Sequence, residues 1–357
     1  MMHSINRRGF LAAAAGTSAL AAFSGFPTLA LARGQRRDPV LTRIADDRFE
    51  LVHDGSGPFR ILQLTDTHFG RPKDGDKAKD EKSRVLIRTL IDENQPSMAF
   101  HTGDFINNDM DGVEHSAIGF MNDLGIPWSV VFGNHDHGPA TGSLTMEDYY
   151  AKFQNHAVGF IKVPEHEAAD GVKTTREYCF RIDVRAKDAP APGFTLVGFN
   201  CGKRKPALHV PESQMAWMKA QLEADAKLGR THPIIVMQHV PTLDFKTLYD
   251  SGKAVGRKGE EVCFESDTGA VLDAYSASKR VRAVFVGHDH VNDYIGEQKG
   301  VKLVYGRVSG WAGYGDWQRG GRTIDLDLTK GTMKTRVVLP KGVSDEKPEW
   351  NVTQQDA

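Results

Sequence analysis

The sequence predicts an α/β fold in which short buried strands alternate with longer amphipathic helices. From Phe59 onward, short runs of β-branched or aromatic residues alternate with stretches whose apolar residues recur at helical spacing. Several of these runs end at a glycine or a polar residue, as is typical of strands whose carboxyl ends border the ligand-binding crevice of an α/β sheet. The composition, 40% hydrophobic and 25% charged over 357 residues, is that of an ordinary globular protein and excludes disordered and fibrous classes.

The first 32 residues predict an export signal. Arg7 and Arg8 precede Gly-Phe-Leu and an apolar, alanine-rich stretch that ends in Ala-Leu-Ala before Arg33. A charged start, an apolar middle and an A-x-A end are typical of a cleaved signal peptide, and the paired arginines resemble a twin-arginine signal. We therefore expect the twin-arginine export machinery as a partner, a periplasmic or secreted location, and no stable membrane anchor after cleavage.

The mature chain is predicted to hold a polar lead-in segment (33–57), one domain (58–340) and a polar tail (341–357). The predicted strands of the first half are Arg60–Leu64, Met98–His101 and Trp128–Phe132, and the helices are Lys82–Glu93 and Val113–Leu124. A helix over Gln214–Lys227 and strands over Pro233–Gln238 and Ala283–Val286 follow. The last strands have no helix between them, which predicts an antiparallel sheet that closes the fold. These are Asp293–Glu297, Val301–Tyr305, Thr323–Leu328 and Thr332–Leu339.

Charge and cysteine content exclude other classes of function. A formal charge of −1 and a pI of 6.9 give no reason to expect a nucleic-acid partner. The three cysteines are widely spaced and form no CxxC pair, so neither a disulfide scaffold nor a thiolate zinc site is predicted.

Five strand-like runs end in residues of the kinds that bind metal ions. The residues, in order, are Asp66 and His68, Asp104, Asn134 with His135, His239, and His288 with His290. Ligands of α/β sheets gather beyond the carboxyl ends of the strands, so these five ends are expected to converge. Residues two apart in extended backbone point the same way, which lets Asp66 and His68 reach one ion together.

The predicted donors are oxygen and imidazole nitrogen without sulfur, which suits Mn, Fe or Zn rather than a soft metal. Two carboxylates, one amide and four imidazoles are too many for one ion, so we expect two divalent or mixed-valence ions. Asp66, His68 and His290 are assigned to one ion, and Asn134, His239 and His288 to the other. Asp104 is assigned as the bridge, which makes it a catalytic as well as a metal-binding candidate.

In this order, D-x-H, GD, GNHD, H and GHDH resemble the calcineurin-like metallophosphoesterase superfamily over residues 59–338. The runs around Asp66 and His288 are similar to its purple-acid-phosphatase-like branch. The resemblance implies a four-layer α/β/β/α sandwich, a dinuclear metal centre, and phosphoester hydrolysis with a metal-bridging hydroxide as the nucleophile. It also implies that His135 faces the substrate as a general acid or a phosphate hydrogen-bond donor.

The sequence departs from true purple enzymes at one metal-binding position. Their tyrosine lies three residues after the GD aspartate, where this chain has Asn107. The metals therefore stay unidentified, and Tyr294 is a possible substitute ligand. Asn107 also stands where phosphoprotein phosphatases keep the aspartate that pairs with the catalytic histidine.

Three functions follow from the motifs. The leading hypothesis is a phosphomonoesterase acting on a small-molecule phosphoester. The alternatives are a phosphodiesterase for cyclic nucleotides or phospholipid head groups, and a non-catalytic export protein that binds metal or phosphate. The connections 138–176 and 241–266 are expected to overhang the site. Four residues after the last ligands form either a substrate wall or ordinary packing: Arg307, Trp311, Tyr314 and Trp317.

Overall fold

The computed structural model describes residues 39–70, 76–107, 113–136, 156–162, 176–201, 209–343 and 353–355. The predicted export signal and most of the 138–176 connection lie outside these residues, and their roles stay predictions.

The described residues form five helices and seventeen strands. The helices are α1 (Asp76–Asn94), α2 (Val113–Asn122), α3 (Glu212–Lys227), α4 (Leu243–Asp250) and α5 (Ala270–Ala277). The strands of the first half are β1 (Val40–Ala45), β2 (Arg48–His53), β3 (Phe59–Leu64), β4 (Met98–His101), β5 (Trp128–Val130), β6 (Ile161–Lys162), β7 (Arg176–Glu177), β8 (Cys179–Ala186) and β9 (Phe194–Phe199). Those of the second half are β10 (Ile234–Met237), β11 (Val255–Lys258), β12 (Val281–Val286), β13 (Asn292–Gln298), β14 (Val301–Tyr305), β15 (Gly321–Asp327), β16 (Thr332–Val338) and β17 (Thr353–Gln355). None of the described helices combines the length and the apolar character that crossing a bilayer requires.

The strands form two large sheets and one short pair. The larger sheet has nine strands in the order β1-β2-β8-β9-β10-β12-β14-β13-β11, and the smaller has six in the order β17-β16-β15-β3-β4-β5. Strands β3, β4 and β5 are parallel neighbours, as are β10 and β12, so each sheet presents a set of carboxyl ends. Strands β6 and β7 pair separately.

Strand β10 shows how the layers pack. Ile235 and Met237 face the core that the nine-stranded sheet shares with the six-stranded sheet and with α1 and α2. Ile234 and Val236 point the other way, into the core beneath α3, α4 and α5. Because neighbouring strand residues face opposite sides, one strand fills two cores. The fold is the predicted α/β/β/α sandwich.

The structure differs from the predicted elements at both ends of the chain. The segment expected to be a polar lead-in holds β1 and β2, because Phe49, Leu51 and His53 alternate inward among polar neighbours. The last strands do not form one antiparallel sheet: β13 and β14 join the nine-stranded sheet, whereas β15 and β16 join the six-stranded one. The predicted tail contributes β17, which pairs with β16.

Candidate metal centre

The predicted ligands lie where the parallel strands of both sheets end. Asp66 and His68 follow β3, and Asp104 follows β4. His239 follows β10, and His288 follows β12. A hydrogen bond links the ends of the two sheets here: the backbone amide of His288 donates to both oxygens of the Asp66 carboxylate, at 3.2 and 3.1 Å.

The first group of side chains consists of Asp66, His68, Asp104 and His290, whose ligand atoms all lie within 4.8 Å of one another. The Nε2 atoms of His68 and His290 are 3.1 Å apart. His290 Nε2 lies 3.4 Å from Asp66 Oδ1, and His68 Nε2 lies 3.5 Å from Asp104 Oδ2. All four side chains therefore point at one small volume.

The second group consists of Asp104, His239 and His288, again within 4.8 Å of one another. His239 Nε2 is 3.3 Å from Asp104 Oδ1 and 3.2 Å from His288 Nδ1. Asp104 thus belongs to both groups and turns one oxygen toward each. Asn134 belongs to the turn after β5, between Gly133 and His135, which both approach Asp104.

Backbone strain concentrates at these residues. Among the described residues, eight that are not glycine have positive φ, and four of them are predicted ligands: Asp66, His68, Asp104 and His288. Such angles cost free energy and persist where the surrounding structure imposes them, as at functional sites. Gly133 lets two loops approach closely, because a Cβ there would lie 2.5 Å from the backbone nitrogen of Asp104 and overlap its Oδ1.

The site holds its carboxylates ionised, as a cation requires. Burial opposes ionisation of Asp66, but His290 and His239 outweigh it and hold its pKa below the usual range. The pKa of Asp104 is likewise well below its ordinary value, because His239 and His68 counteract burial. The histidines of the site differ in charge. Burial lowers the pKa of His68 to about 3, which leaves a neutral imidazole able to donate a lone pair. Burial also opposes the charge on His239 and His288, but Asp104 outweighs it and raises the pKa of His239, and Cys263 and Glu265 do the same for His288. These two histidines must therefore lose a proton before they bind an ion.

The residues present fit two metal ions. Pairs of imidazole nitrogens face each other at hydrogen-bond distance beside ionised carboxylates, which is the arrangement of a donor set around a cation. Asn134 Oδ1 is buried and has no hydrogen-bond partner among the described residues. A buried carbonyl oxygen without a partner is costly, and an ion of the second group would satisfy it.

Sequence comparison places the chain in a family. The sequence profile of the calcineurin-like phosphoesterases matches residues 59–292. The chain belongs to this family. It is 28% identical over 306 residues to probable inactive purple acid phosphatase 28 of Arabidopsis thaliana, covering 77% of each protein. It is 25% identical over 315 residues to probable inactive purple acid phosphatase 29 of the same plant, covering 79% of this chain and 80% of that protein.

The fold of this family member also matches a solved structure. A dimetal phosphatase from Danio rerio superposes with a TM-score of 0.51 at 15% identity, covering 84% of this chain and 99% of that one. At that identity the likeness shows the fold alone.

His135 lies beside the first group, with its ring 4.9 Å from that of His68. Its backbone amide donates to Asp104 Oδ1 at 3.0 Å, and its Nδ1 is 3.1 Å from Asn107 Oδ1. The side chain of Asn107 therefore contacts this histidine. Asp136 fixes this turn, since its carboxylate accepts from the amides of Gly133 at 2.8 Å and Ile106 at 2.9 Å.

The four residues of the proposed substrate wall divide into two kinds. Arg307 is buried and pairs with Asp293 at 2.6 Å, and Trp317 is buried beside it, so both are packing residues. Tyr314 is 49% exposed and stacks on His290 with ring centroids 4.0 Å apart. Trp311 is half-buried and carries the Lys82 ammonium over its ring.

The suggestion that Tyr294 replaces the missing metal-binding tyrosine is wrong. Its hydroxyl donates to the backbone oxygen of Phe245 at 2.9 Å, and its ring is buried in the core under α4. Tyr314 is the tyrosine that packs on a predicted ligand, and its hydroxyl donates to Glu260 at 2.7 Å. Counting along β13 could not reveal this, because the strand turns the side chain of Tyr294 away from the site.

Proposed function

We propose that this protein is a dinuclear metal-dependent phosphoester hydrolase whose substrate is a small-molecule phosphomonoester. The observation that carries the proposal is that Asp104 is shared by two convergent donor groups with His135 beside them. When bound, two divalent ions would activate a water molecule as the nucleophile and offset the charge on the phosphoryl oxygens. Mn, Fe and Zn all suit the donors.

The chain's own residues hold this arrangement rigid. The Asp104 carboxylate is fixed by the amide of His135, and that of Asp66 by the amide of His288. A preformed carboxylate needs little reorganisation when charge develops in the transition state.

His135 is proposed to donate a hydrogen bond, and then a proton, to the leaving oxygen of the substrate. Its Nδ1 is held by Asn107, which leaves Nε2 for the substrate. The amide of Asn107 can present either its oxygen or its NH₂ group to Nδ1. Asn107 can therefore pair with Nδ1 whether or not that nitrogen carries a proton. A carboxylate only accepts, so it could pair with Nδ1 only when that nitrogen is protonated.

Paired assays test the choice of substrate. The names of the two Arabidopsis relatives contain phosphatase, which favours monoesters. With metal-loaded protein, we expect faster turnover of 4-nitrophenyl phosphate than of bis(4-nitrophenyl) phosphate. Faster cleavage of the bis-ester would show a diesterase instead.

A non-catalytic role is the second candidate, because both relatives are named probable inactive. Against it, the structure brings six of the seven predicted ligands, all except Asn134, into two groups that could each hold an ion. Turnover that chelation abolishes and added metal restores would exclude the non-catalytic role. Tight metal binding without turnover of either ester would establish it.

We also propose that the protein is exported as a folded, metal-loaded chain. This rests on the twin-arginine pattern of residues 1–32, since that pathway carries folded proteins. The metals would then be inserted before export.

A further inference from the structure

Three of the four predicted histidine ligands turn their other ring nitrogen toward an oxygen atom. For His239 and His290, Nδ1 lies 2.8 and 3.4 Å from a backbone carbonyl oxygen. His288 turns Nδ1 toward His239, and its Nε2 lies 3.8 Å from Glu265 Oε1. Such a partner fixes the ring of a metal-binding histidine and makes it a better donor. Glu265 is the carboxylate among these three partners.

The backbone at Glu265 is strained in the same way as that of the ligands. Its φ is +53°, and it is the fifth of the eight described positive-φ residues other than glycine to lie at the site. The remaining three, Gln95, Lys279 and Lys299, are exposed and follow helices or occupy a hairpin turn. The side chain of Glu265 is only 8% exposed, although glutamate is among the residues least often buried. Strained backbone and a buried carboxylate at one position are typical of a residue with a role at a functional site.

The loop that carries Glu265, residues 259–265, is fastened to the strand end that carries His288. The backbone amide of Cys263 donates to both oxygens of Asp289 at 3.3 and 3.2 Å, and Asn292 Oδ1 accepts from two further loop amides at 2.9 and 3.1 Å. The Asp289 carboxylate is itself held by the Tyr305 hydroxyl at 2.6 Å. The loop and the ligand therefore form one rigid unit, which a positioning contact requires.

We propose that Glu265 is a positioning residue for the second metal position. Its carboxylate accepts a hydrogen bond from Nε2–H of His288 and so holds Nδ1 toward the ion. This inference rests on the proposed function, because it needs the second group to bind an ion. In this structure the two atoms are 3.8 Å apart, which is longer than a hydrogen bond, and we expect the distance to shorten when His288 takes up the ion.

A rival explanation involves Cys263. Its thiol is exposed and lies within 4.8 Å of ligand atoms of His288 and Asp289, so the thiol rather than Glu265 could act on His288. Asp289, the third member of that group, already accepts hydrogen bonds from the Tyr305 hydroxyl and the Cys263 amide. The two explanations predict different effects of single substitutions.

The test is a Mn²⁺ titration of chelator-stripped full-length protein, with free Mn²⁺ followed by electron paramagnetic resonance. Wild type should bind two ions. Glu265→Ala should weaken one of them about 10- to 100-fold and leave the other unchanged. Glu265→Gln keeps the volume but loses the charge, and should weaken the same ion by about tenfold. Glu261→Gln is the matched control, because that side chain of the same loop is 78% exposed and pairs with Lys258.

Two further variants separate a positioning role from a general loss of structure. In a His288→Ala background, Glu265→Ala should weaken binding no further, because the two side chains act on the same ion. Cys263→Ser should bind both ions as wild type does. Wild-type affinity in both Glu265 variants, equal weakening of both ions, or a loss confined to Cys263→Ser would each overturn the proposal. Absence of Mn²⁺ binding by wild type would instead contradict the proposed function.

Discussion

Replacing Gly133 with alanine changes no donor atom, yet it should disturb both metal positions. A Cβ at residue 133 would overlap Asp104 Oδ1, and it would lie 2.5 Å from the Asp104 backbone nitrogen and 2.7 Å from Cδ2 of His239. The Gly133 amide is tied to the Asp136 carboxylate at 2.8 Å, so we expect the shared Asp104 carboxylate to move. Forcing a methyl group into a packed site costs about 1–3 kcal/mol, which is roughly 5- to 140-fold in a binding constant. We expect the affinity for both ions to fall by a factor in that range.

A glycine in α2 gives the matched control. A Cβ at Gly119 meets nothing within 4 Å, so Gly119→Ala should leave metal binding unchanged and stabilise the protein by about 0.5–1 kcal/mol. Titration of the stripped proteins with Mn²⁺ and urea unfolding without metal measure the two effects separately. A Gly133→Ala protein that binds both ions with wild-type affinity would refute the argument that this close approach sets the position of Asp104.

Four other predictions follow from the site and the export signal. Asp104→Asn should weaken both ions in the Mn²⁺ titration, because its two oxygens face the two groups; a loss at one position only would contradict its role as the bridge. His135→Ala should keep both ions while kcat falls roughly 10²–10⁴-fold, and lost metals would contradict the role of its side chain. Iron-loaded protein should lack an intense visible band, because Asn107 supplies no phenolate; a band that disappears in Tyr314→Phe would show that the stacked tyrosine is a ligand. Replacing both arginines of the export signal with lysine keeps the charge and should leave precursor in the cytoplasm, and normal export would indicate another route.

The candidate site was predictable because its residues follow strands. Asp66, Asp104 and His288 each come after a buried run, and parallel strands bring their carboxyl ends together. The sequence therefore predicted which residues meet without showing any contact between them.

Glu265 could not be predicted in this way. It lies in a loop without a motif, and only the hydrogen bonds between residues 259–265 and the end of β12 bring it to His288. The 241–266 connection was expected to overhang the site, and the structure shows Glu265 touching a predicted ligand.

The fold was predictable where apolar runs were continuous and less so where they alternated. Strands β10 and β12 are buried on both faces and stand out in the sequence. Strand β2 buries only every second residue, and Arg48 and Glu50 alternate with the buried ones, so it lacks the continuous apolar run that marks the fully buried strands. The division of the last strands between two sheets depends on which partner each strand meets, and local sequence does not carry that information.

Two ions held by the seven predicted ligands are proposed to make the protein a phosphoester hydrolase: Asp66, His68, Asp104, Asn134, His239, His288 and His290. The most direct test is metal analysis by mass spectrometry together with 4-nitrophenyl phosphate turnover, on the same samples of mature protein before and after chelation. We expect two metal ions per chain, turnover that falls with the metal content, and recovery of both when divalent metal is restored. Two bound ions without turnover, or turnover that survives complete removal of metal, would contradict this proposal.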